Sequence, residues 1–270
     1  MRISESCAQC LYDKQKKRCP DPEYLRKVKE LLDQRGEEET SPYMVYRFNL
    51  IHEQMFGREP GYQQEKKRYN DLVLGMEKDL RLRIEQEEDP LAASLTMSRI
   101  GNYIDFGALD HVSEDTFLDL FHDIGLRPEE KPVYASFLEA CEKAESFLLI
   151  CDNCGEIVLD KLMIEQLRKR FPSIRPTVLV RGGEAMNDVT EEDAYYTGID
   201  RVADIVSNGA AVTGTVYDLL PPEARMVLDG ADVIFSKGQG NYESLSGQGR
   251  HIFYSFLCKC DLFQRREYRI

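Results

Sequence analysis

The sequence lacks any long apolar run and any excess of positive charge. No apolar stretch approaches the roughly 18 residues that a membrane helix needs, and the first ten residues, MRISESCAQC, contain no apolar segment of the kind found in signal peptides. Its 35 basic and 48 acidic residues give a formal net charge of −13. This charge argues against a polyanionic partner, because binding to nucleic-acid phosphates needs clustered lysine and arginine. We therefore expect a cytoplasmic protein that binds neither membranes nor nucleic acids.

Histidine is scarce, and cysteine is too sparse for a disulfide scaffold. None of the 4 histidines lies in a metal-ligand pattern, since His52 falls within a predicted helix and His122 and His251 fall in apolar stretches. The 8 cysteines among 270 residues are far fewer than small disulfide-rich domains carry. In the cytoplasm we expect them to be thiols or metal ligands.

Residues 1–145 carry patterns typical of helices, and we expect them to form a helical domain that caps the site. Helix starts are predicted where a capping residue precedes proline, since an Asp or Ser oxygen accepts free backbone N–H groups and proline fits the first helical position. These starts are Asp21-Pro22, Ser41-Pro42 and Asp89-Pro90, with a long amphipathic helix over residues 69–84 and two more helices after Ser113 and Lys131.

Residues 146–270 alternate short β-rich runs with helical stretches, which predicts an α/β domain with a mostly parallel sheet. The runs are FLLIC (147–151), TVLVR (177–181), ADIVS (203–207), DVIFS (232–236) and HIFYSFL (251–257). The segment EIVLDKLMIEQLRKRF after the first run is long enough for a crossover helix. We expect this second domain to hold the metal and to carry the catalytic residues.

Polar residues follow four successive predicted strands, where ligands bind in open α/β sheets. They are Asp152, Asn153 and Glu156 after the first strand, Asn187 and Asp188 after the second, Ser207 after the third, and Lys237, Gly238, Gly240 and Asn241 after the fourth. Each alone is more often a helix cap or a turn former. Together, their oxygens suit a hard cation such as Mg²⁺ or Mn²⁺, while the glycine loop and Lys237 suit an anion. A metal beside an anion pocket predicts phosphoryl transfer to water.

The cysteines offer a competing interpretation. Cys151 and Cys154 form a CxxC between a strand and a helix, where a redox dithiol would lie. Asp152 stands between them, and a neighbouring carboxylate raises the pKa of a thiol, which disfavours a reactive thiolate. A soft-metal site assembled in space from Cys7, Cys10, Cys258 and Cys260 is left open. Otherwise these cysteines are buried small hydrophobic residues.

Four short segments, in order, resemble the motifs of the metal-dependent damage-control phosphatases. This family was once described as a domain of unknown function and has been linked to acidic-residue methyltransferases. The segments are SRIGNYIDFG (98–107), CDNCGEIVLD (151–160), MNDVTEEDA (186–194) and SKGQGNYESL (236–245). The N-terminal CxxC is similar to one found in the cysteine-containing branch of the family.

The resemblance implies a helical N-terminal part packed on a Rossmann-like αβα part. It also implies hydrolysis of phosphate esters of small metabolites, often damaged ones, with one divalent ion such as Mn²⁺, Co²⁺, Ni²⁺ or Mg²⁺. The implied metal ligands are Asp152, Asn153 and Asp188. Residues 237–241 and Glu243 correspond to the substrate-facing loop, and Asn102 and Asp105 to an element that closes over the site. The last family motif often has two lysines; here Lys259 alone remains, which leaves its contact with phosphate in question.

The resulting hypothesis is a cation held by Asp152, Asn153 and Asp188 that binds a phosphate oxygen, with water or the Asp152 carboxylate as nucleophile. Cys154 occupies the place of the second acid in the DxD pair of phosphatases that form an aspartyl phosphate, which favours water. Glu156 or Asp188 would act as base or orient that water. The alternatives are a carboxyl methyltransferase that uses S-adenosylmethionine and a non-catalytic metal or iron–sulfur module built on the cysteines. The sequence does not define the oligomeric state.

Overall fold

The computed structural model describes residues 3–36, 38–102, 121 and 123–258 of the chain. In the described residues before 146 the regular elements are helices, and in those after it strands alternate with helices. Within the described ranges, no helix combines the length and the apolar character needed to cross a membrane.

The N-terminal helices begin mostly where the caps predict. They are α1 (Glu5–Arg18), α2 (Pro22–Asp33), α3 (Ser41–Phe56), α4 (Gln63–Gln86), α5 (Pro90–Gly101) and α6 (Lys131–Glu142). Asp21 and Asp89 are confirmed as caps, since each side chain accepts a backbone N–H of the first turn. The prediction for Ser41 was wrong by one residue, because Thr40 keeps an extended backbone while Ser41 is already helical. The predicted start at Ser113 lies outside the described residues.

A parallel sheet confirms the predicted α/β class. Among the described residues its strands are β1 (Ser146–Ile150), β2 (Arg175–Val180), β3 (Asp204–Ser207), β4 (Val233–Lys237) and β5 (Ile252–Ser255), in the order β3-β2-β1-β4-β5. Every pairing is parallel. The intervening helices are α7 (Glu156–Arg170), α8 (Glu191–Thr197), α9 (Pro222–Gly230) and α10 (Gln239–Leu245). This order is that of a Rossmann-like sheet.

Both faces of the sheet are covered, which explains why β1 is apolar throughout. Phe147 and Leu149 point to one face and join a large cluster with α4 to α7. Leu148 and Ile150 point to the other face and pack with residues of α9 and α10. A third cluster joins α1, α2 and α3 around Tyr24.

The large cluster crosses the predicted boundary at residue 145. It includes Val73 of α4 and Met97 of α5 together with Leu159 and Leu162 of α7. The division into domains 1–145 and 146–270 therefore stays a prediction, and the two parts share a continuous core.

We expect Leu149→Ala to lower the free energy of unfolding by about 2–5 kcal/mol, the usual cost of a cavity in a core. Leu149 is fully buried in the central strand, whereas Leu50 on α3 is 47% exposed. Leu50→Ala is the matched control and should change stability by no more than about 0.5 kcal/mol. Urea unfolding monitored by circular dichroism measures both, and equal losses would contradict this packing.

Candidate active site

The site lies at the switch point of the sheet, between the carboxyl ends of β1 and β4. These strands are neighbours, with Ile150 opposite Ser236, so the residues that follow them meet. Gly238 follows β4 with a φ of +79°, a conformation that favours glycine. A Cβ on Gly238 would lie 2.2 Å from Cγ of Asp152. The missing side chain therefore makes room for the Asp152 carboxylate.

Backbone hydrogen bonds join the loop after β1 to the loop after β2. The amide of Cys154 donates to the carbonyl of Asn187 (2.9 Å), and the amide of Val189 donates to the carbonyl of Asp152 (2.8 Å). Asn153 and Asp188 consequently form an isolated antiparallel bridge. These contacts bring the three predicted metal ligands together, although Asp152 and Asp188 are 36 positions apart in the sequence.

Two amides hold the Asp152 carboxylate. Oδ2 accepts from Nδ2 of Asn153 (2.8 Å) and from Nδ2 of Asn102 (3.0 Å). Both amides also donate to Oε2 of Glu156 at 3.1 Å. Since the nitrogen of Asn153 faces these carboxylates, its carbonyl oxygen is the atom that can bind a cation.

Asp188 is almost fully buried, and burial raises the pKa of its carboxyl group to about 7. The Arg181 guanidinium opposes this shift, with Nε donating to Oδ2 at 2.6 Å. The nearby Asp152 carboxylate adds to the rise. Two acidic groups close enough to perturb one another favour a bound cation, which stabilises the charged form of both.

A cavity of about 330 Å³, here called the switch-point cavity, opens beside these groups. Its floor includes Asp152, Asn153, Asp188, Asn102, Asn187, Gly240 and Glu243. The opposite wall comes from α1 and from the start of α3: Cys7, Cys10, Leu11, Lys14, Ser41, Pro42 and Val45. The helical region thus contributes to the same cavity as the loops of the sheet.

Burial raises the pKa of Glu243 above its ordinary value, although Gln239 donates a hydrogen bond to its carboxylate at 2.7 Å. Ser41 at the start of α3 and the more distant charge of Lys14 also oppose the rise. These contacts place an ionisable group on the cavity side of α10, against the helical wall.

Lys237, predicted to face substrate, lies elsewhere in this structure. Its ammonium is completely buried and contacts carboxylate oxygens of Glu156 (2.6 Å) and Asp160 (3.0 Å). It also donates to the carbonyl and the hydroxyl of Ser98 on α5. Burial alone would lower the pKa of Lys237, but the two carboxylates raise it above its usual value. Neither Lys237 nor Glu156 lines the cavity, so both lie behind the floor.

Of the other predicted site residues, two make structural hydrogen bonds and two lie outside the described residues. Asn241 is buried and donates to the carbonyls of Cys151 (3.0 Å) and Lys237 (2.7 Å). Ser207 accepts a hydrogen bond from the amide of Gly209 and does not line the cavity. The predicted substrate-binding residues Asp105 and Lys259 lie outside the described residues.

The thiols of Cys151 and Cys154 are both buried. Burial raises the pKa of each well above its ordinary value, so both remain protonated at neutral pH. The direction agrees with the sequence argument, but the main cause is burial and not Asp152. Cys7 and Cys10 line the cavity. Because Cys260 lies outside the described residues, a soft-metal site with Cys258 stays a prediction.

The donor set fits a hard cation with some ligands left to water or substrate. Within the described ranges, no group of three or more His, Cys, Asp and Glu side chains is placed to share a metal. The candidate ligands are instead two carboxylates and one amide, all of which line the cavity. Mg²⁺ and Mn²⁺ are often held by one or two carboxylates with further oxygen ligands from water and phosphate.

Sequence reasoning missed two features of the site. Arg181 contacts both Asp188 and Asp152, and its place directly after β2 was the available signal. Met186 lines the cavity with a φ of +53°, the one positive φ of a non-glycine residue among those described. Such backbone strain is common at functional sites, and no sequence pattern predicted it for Met186.

A Rossmann-like sheet with carboxylate and amide groups at its switch point places this chain among the α/β proteins, in which ligands commonly bind at that point. The chain matches the family model described as the damage-control phosphatase ARMT1-like domain over residues 3–267. The protein belongs to this family.

Similar proteins come from archaea. A damage-control phosphatase of Archaeoglobus fulgidus is 31% identical over 278 residues, which cover 97% of this chain and 93% of that protein. The damage-control phosphatase PH1575 of Pyrococcus horikoshii is 30% identical over 175 residues, 64% of this chain and 59% of that protein. The crystal structure of PH1575, a DUF89 family protein, matches with a TM-score of 0.78 at 22% identity, over 98% of this chain and 95% of that one. This structural likeness concerns the fold.

We expect Gly238→Ala to destabilise the protein more than Gly247→Ala does. The two glycines have nearly the same φ, +79° and +80°, but a Cβ on Gly247 would meet nothing within 4 Å. Gly247→Ala should therefore show only the backbone cost, about 1–2 kcal/mol. Gly238→Ala adds a clash with Asp152, worth about 1–3 kcal/mol more. Urea unfolding of both variants measures the difference, and its absence would contradict the described contact.

In metal-free protein, we expect the contribution of Asp188 to stability to fall as pH rises from about 4 to 7. Its folded-state pKa of about 7 exceeds the ordinary value near 3.9, so the folded protein keeps a proton that the unfolded chain releases. The difference in unfolding free energy between wild type and Asp188→Asn should shrink across this range by roughly a few kcal/mol. Urea unfolding in EDTA tests this, and a difference independent of pH would contradict it.

Proposed function

We propose that this protein is a divalent-metal-dependent phosphatase that hydrolyses phosphate monoesters of small metabolites, including damaged sugar or cofactor phosphates. The observation that carries the proposal is the convergence of Asp152, Asn153 and Asp188 on the lining of one cavity. Membership of the family adds support, since the relatives from A. fulgidus and P. horikoshii are named damage-control phosphatases.

The charge balance at the site favours a cation. Contacts among the described residues connect four acidic side chains to only two basic ones, Arg181 and Lys237. The acidic members are Asp152, Glu156, Asp160 and Asp188. Burying carboxylates is costly, and a divalent ion such as Mn²⁺, Co²⁺, Ni²⁺ or Mg²⁺ would stabilise their charged form.

Asp152, Asn153 and Asp188 would hold this cation, which supplies positive charge to neutralise the phosphoryl group as it is transferred. Asp188 is the better placed of the two proposed bases, because it lines the cavity and a general base must lie within reach of the attacking water. Glu156 is enclosed, so its role is to orient the amides of Asn153 and Asn102. We favour water as the nucleophile over the Asp152 carboxylate, whose Oδ2 already accepts two hydrogen bonds.

Fewer residues line the cavity than the sequence predicted to contact substrate. Asn102, Asn187, Gly240 and Glu243 line the cavity and keep their proposed role in binding. Asn187 supplies an amide nitrogen that is buried and has no hydrogen-bond partner among the described residues. Such a donor is suited to a phosphate oxygen, since an unpaired buried N–H is unfavourable. The wall from α1 and α3 would contact the remainder of the metabolite.

The two alternatives have less support. A methyltransferase site would need a glycine-rich turn after β1, and here Asp152 and Asn153 fill that turn beside a single glycine, Gly155. A redox dithiol would need a reactive thiolate, and burial raises the pKa of both Cys151 and Cys154. An iron–sulfur module would need several cysteines around one site, and within the described residues no group of three or more His, Cys, Asp and Glu side chains is placed to share a metal.

We expect metal-stripped protein to hydrolyse p-nitrophenyl phosphate only after Mn²⁺, Co²⁺, Ni²⁺ or Mg²⁺ is added. Asp152→Ala should reduce the metal-dependent rate by at least about 100-fold, since it removes a ligand on which transition-state stabilisation depends. A panel of sugar and cofactor phosphates then ranks substrates by kcat/KM.

Two controls accompany this assay. Ser207→Ala removes a polar side chain at a strand end outside the cavity and should retain nearly full activity. The double variant Cys151→Ala/Cys154→Ala should retain much of it. A Cys variant that loses activity while Asp152→Ala keeps it would reverse the assignment and support the sulfur chemistry.

A further inference from the structure

Arg181 is the buried side chain at this site to which neither the sequence motifs nor the proposed mechanism assigns a function. It follows β2 directly and is only 1% exposed. Taking a guanidinium out of water is unfavourable unless its N–H groups find acceptors. The acceptors present therefore define what this side chain does.

The three nitrogens of the Arg181 guanidinium face three different loops of the site. Nε donates to Oδ2 of Asp188 at 2.6 Å, after β2. Nη1 donates to Oδ1 of Asn241 at 3.1 Å, after β4. Nη2 lies 3.6 Å from Oδ1 of Asp152, after β1, an ion-pair contact longer than a hydrogen bond, and Nη2 has no hydrogen-bond partner among the described residues. A planar fork of this kind fixes its partners in direction as well as distance, which a lysine ammonium cannot do.

Asn241 gives the fork a rigid attachment. Its Oδ1 also accepts from the hydroxyl of Thr215 at 2.9 Å. Its Nδ2 donates to the carbonyls of Cys151 and Lys237. Both polar atoms of the Asn241 side chain make hydrogen bonds, so this side chain is held in place. Arg181 therefore links Asp188 to α10, the helix that follows β4.

We infer that Arg181 is a positioning residue for the cation site: it holds Oδ2 of Asp188 through a hydrogen bond and faces Oδ1 of Asp152 with its charge, and so fixes the two carboxylates relative to one another. This inference rests on the proposed function, because it assumes a cation bound by those carboxylates. The guanidinium also keeps the two acidic groups from repelling one another when no cation is bound. Groups that orient metal ligands in this way typically change metal affinity by about 10–100-fold when removed.

Isothermal titration of metal-stripped protein with Mn²⁺ tests the inference directly. We expect Arg181→Met, which keeps an unbranched side chain without charge, to raise the Kd for Mn²⁺ by about 10–100-fold. Arg181→Lys keeps the charge but not the fork, so its loss should be smaller. Asn241→Ala leaves Arg181 in place but removes its attachment, and should also weaken binding.

Lys161→Met is the matched control for the loss of a buried cation. The Lys161 ammonium contacts Glu77 at 2.9 Å and the carbonyl of Thr197 at 2.7 Å, and the residue is 7% exposed. It lies on α7 away from the cavity, so Lys161→Met should lower the melting temperature without changing the Kd for Mn²⁺. If the role of Arg181 is structural only, Arg181→Met should likewise lower the melting temperature and leave the Kd for Mn²⁺ unchanged.

The outcomes separate the inference from the proposed function. If Arg181→Met binds Mn²⁺ as tightly as wild type, Arg181 does not position the ligands, and only the inference is overturned. If Arg181→Met does not fold, the same result for Arg181→Lys and Asn241→Ala overturns it. If wild type itself binds no Mn²⁺, the proposed function fails and the inference with it. Weaker binding in the Arg181 variants, with an unchanged Kd in Lys161→Met, supports both.

Discussion

Acidic side chains enclosed at one edge of the sheet must be neutralised there, and the arrangement of the site follows from this constraint. Four of them belong to one connected network: Asp152, Glu156, Asp160 and Asp188. Water stabilises a carboxylate far better than a protein interior does, so each needs hydrogen-bond donors or a cation close by. Lys237 neutralises the network behind the cavity floor, and Arg181 neutralises it beside the proposed metal ligands. A divalent cation would further stabilise the carboxylates that line the cavity.

The topology brings these groups together, and the helical region completes the set. Neighbouring β1 and β4 place Asp152 against Gly238. Asn102, at the end of α5, donates to both Asp152 and Glu156. Lys237 donates to Ser98 one helical turn earlier. The helices therefore take part in the electrostatics of the site, and they also share an apolar core with α7.

Strand positions could be predicted because buried parallel strands form nearly continuous apolar runs. Asp152 and Asp188 could be predicted as site residues because they follow such runs. The direction of the Lys237 side chain could not be predicted. Lys237 ends β4, and successive side chains of a strand point to opposite faces. Its ammonium is buried because Asp160, an ordinary-looking helical residue in the sequence, accepts from it across the fold. The role of Arg181 likewise depends on acceptors far away along the chain.

The central claim is that Asp152, Asn153 and Asp188 hold one divalent cation at the switch point. Anomalous diffraction from crystals grown with Mn²⁺ tests it most directly, because the anomalous peak locates the metal without reference to activity. The account predicts a single strong peak bounded by oxygen atoms of these three side chains, on the cavity side. A peak beside Cys7 and Cys10 with none at the switch point would contradict it.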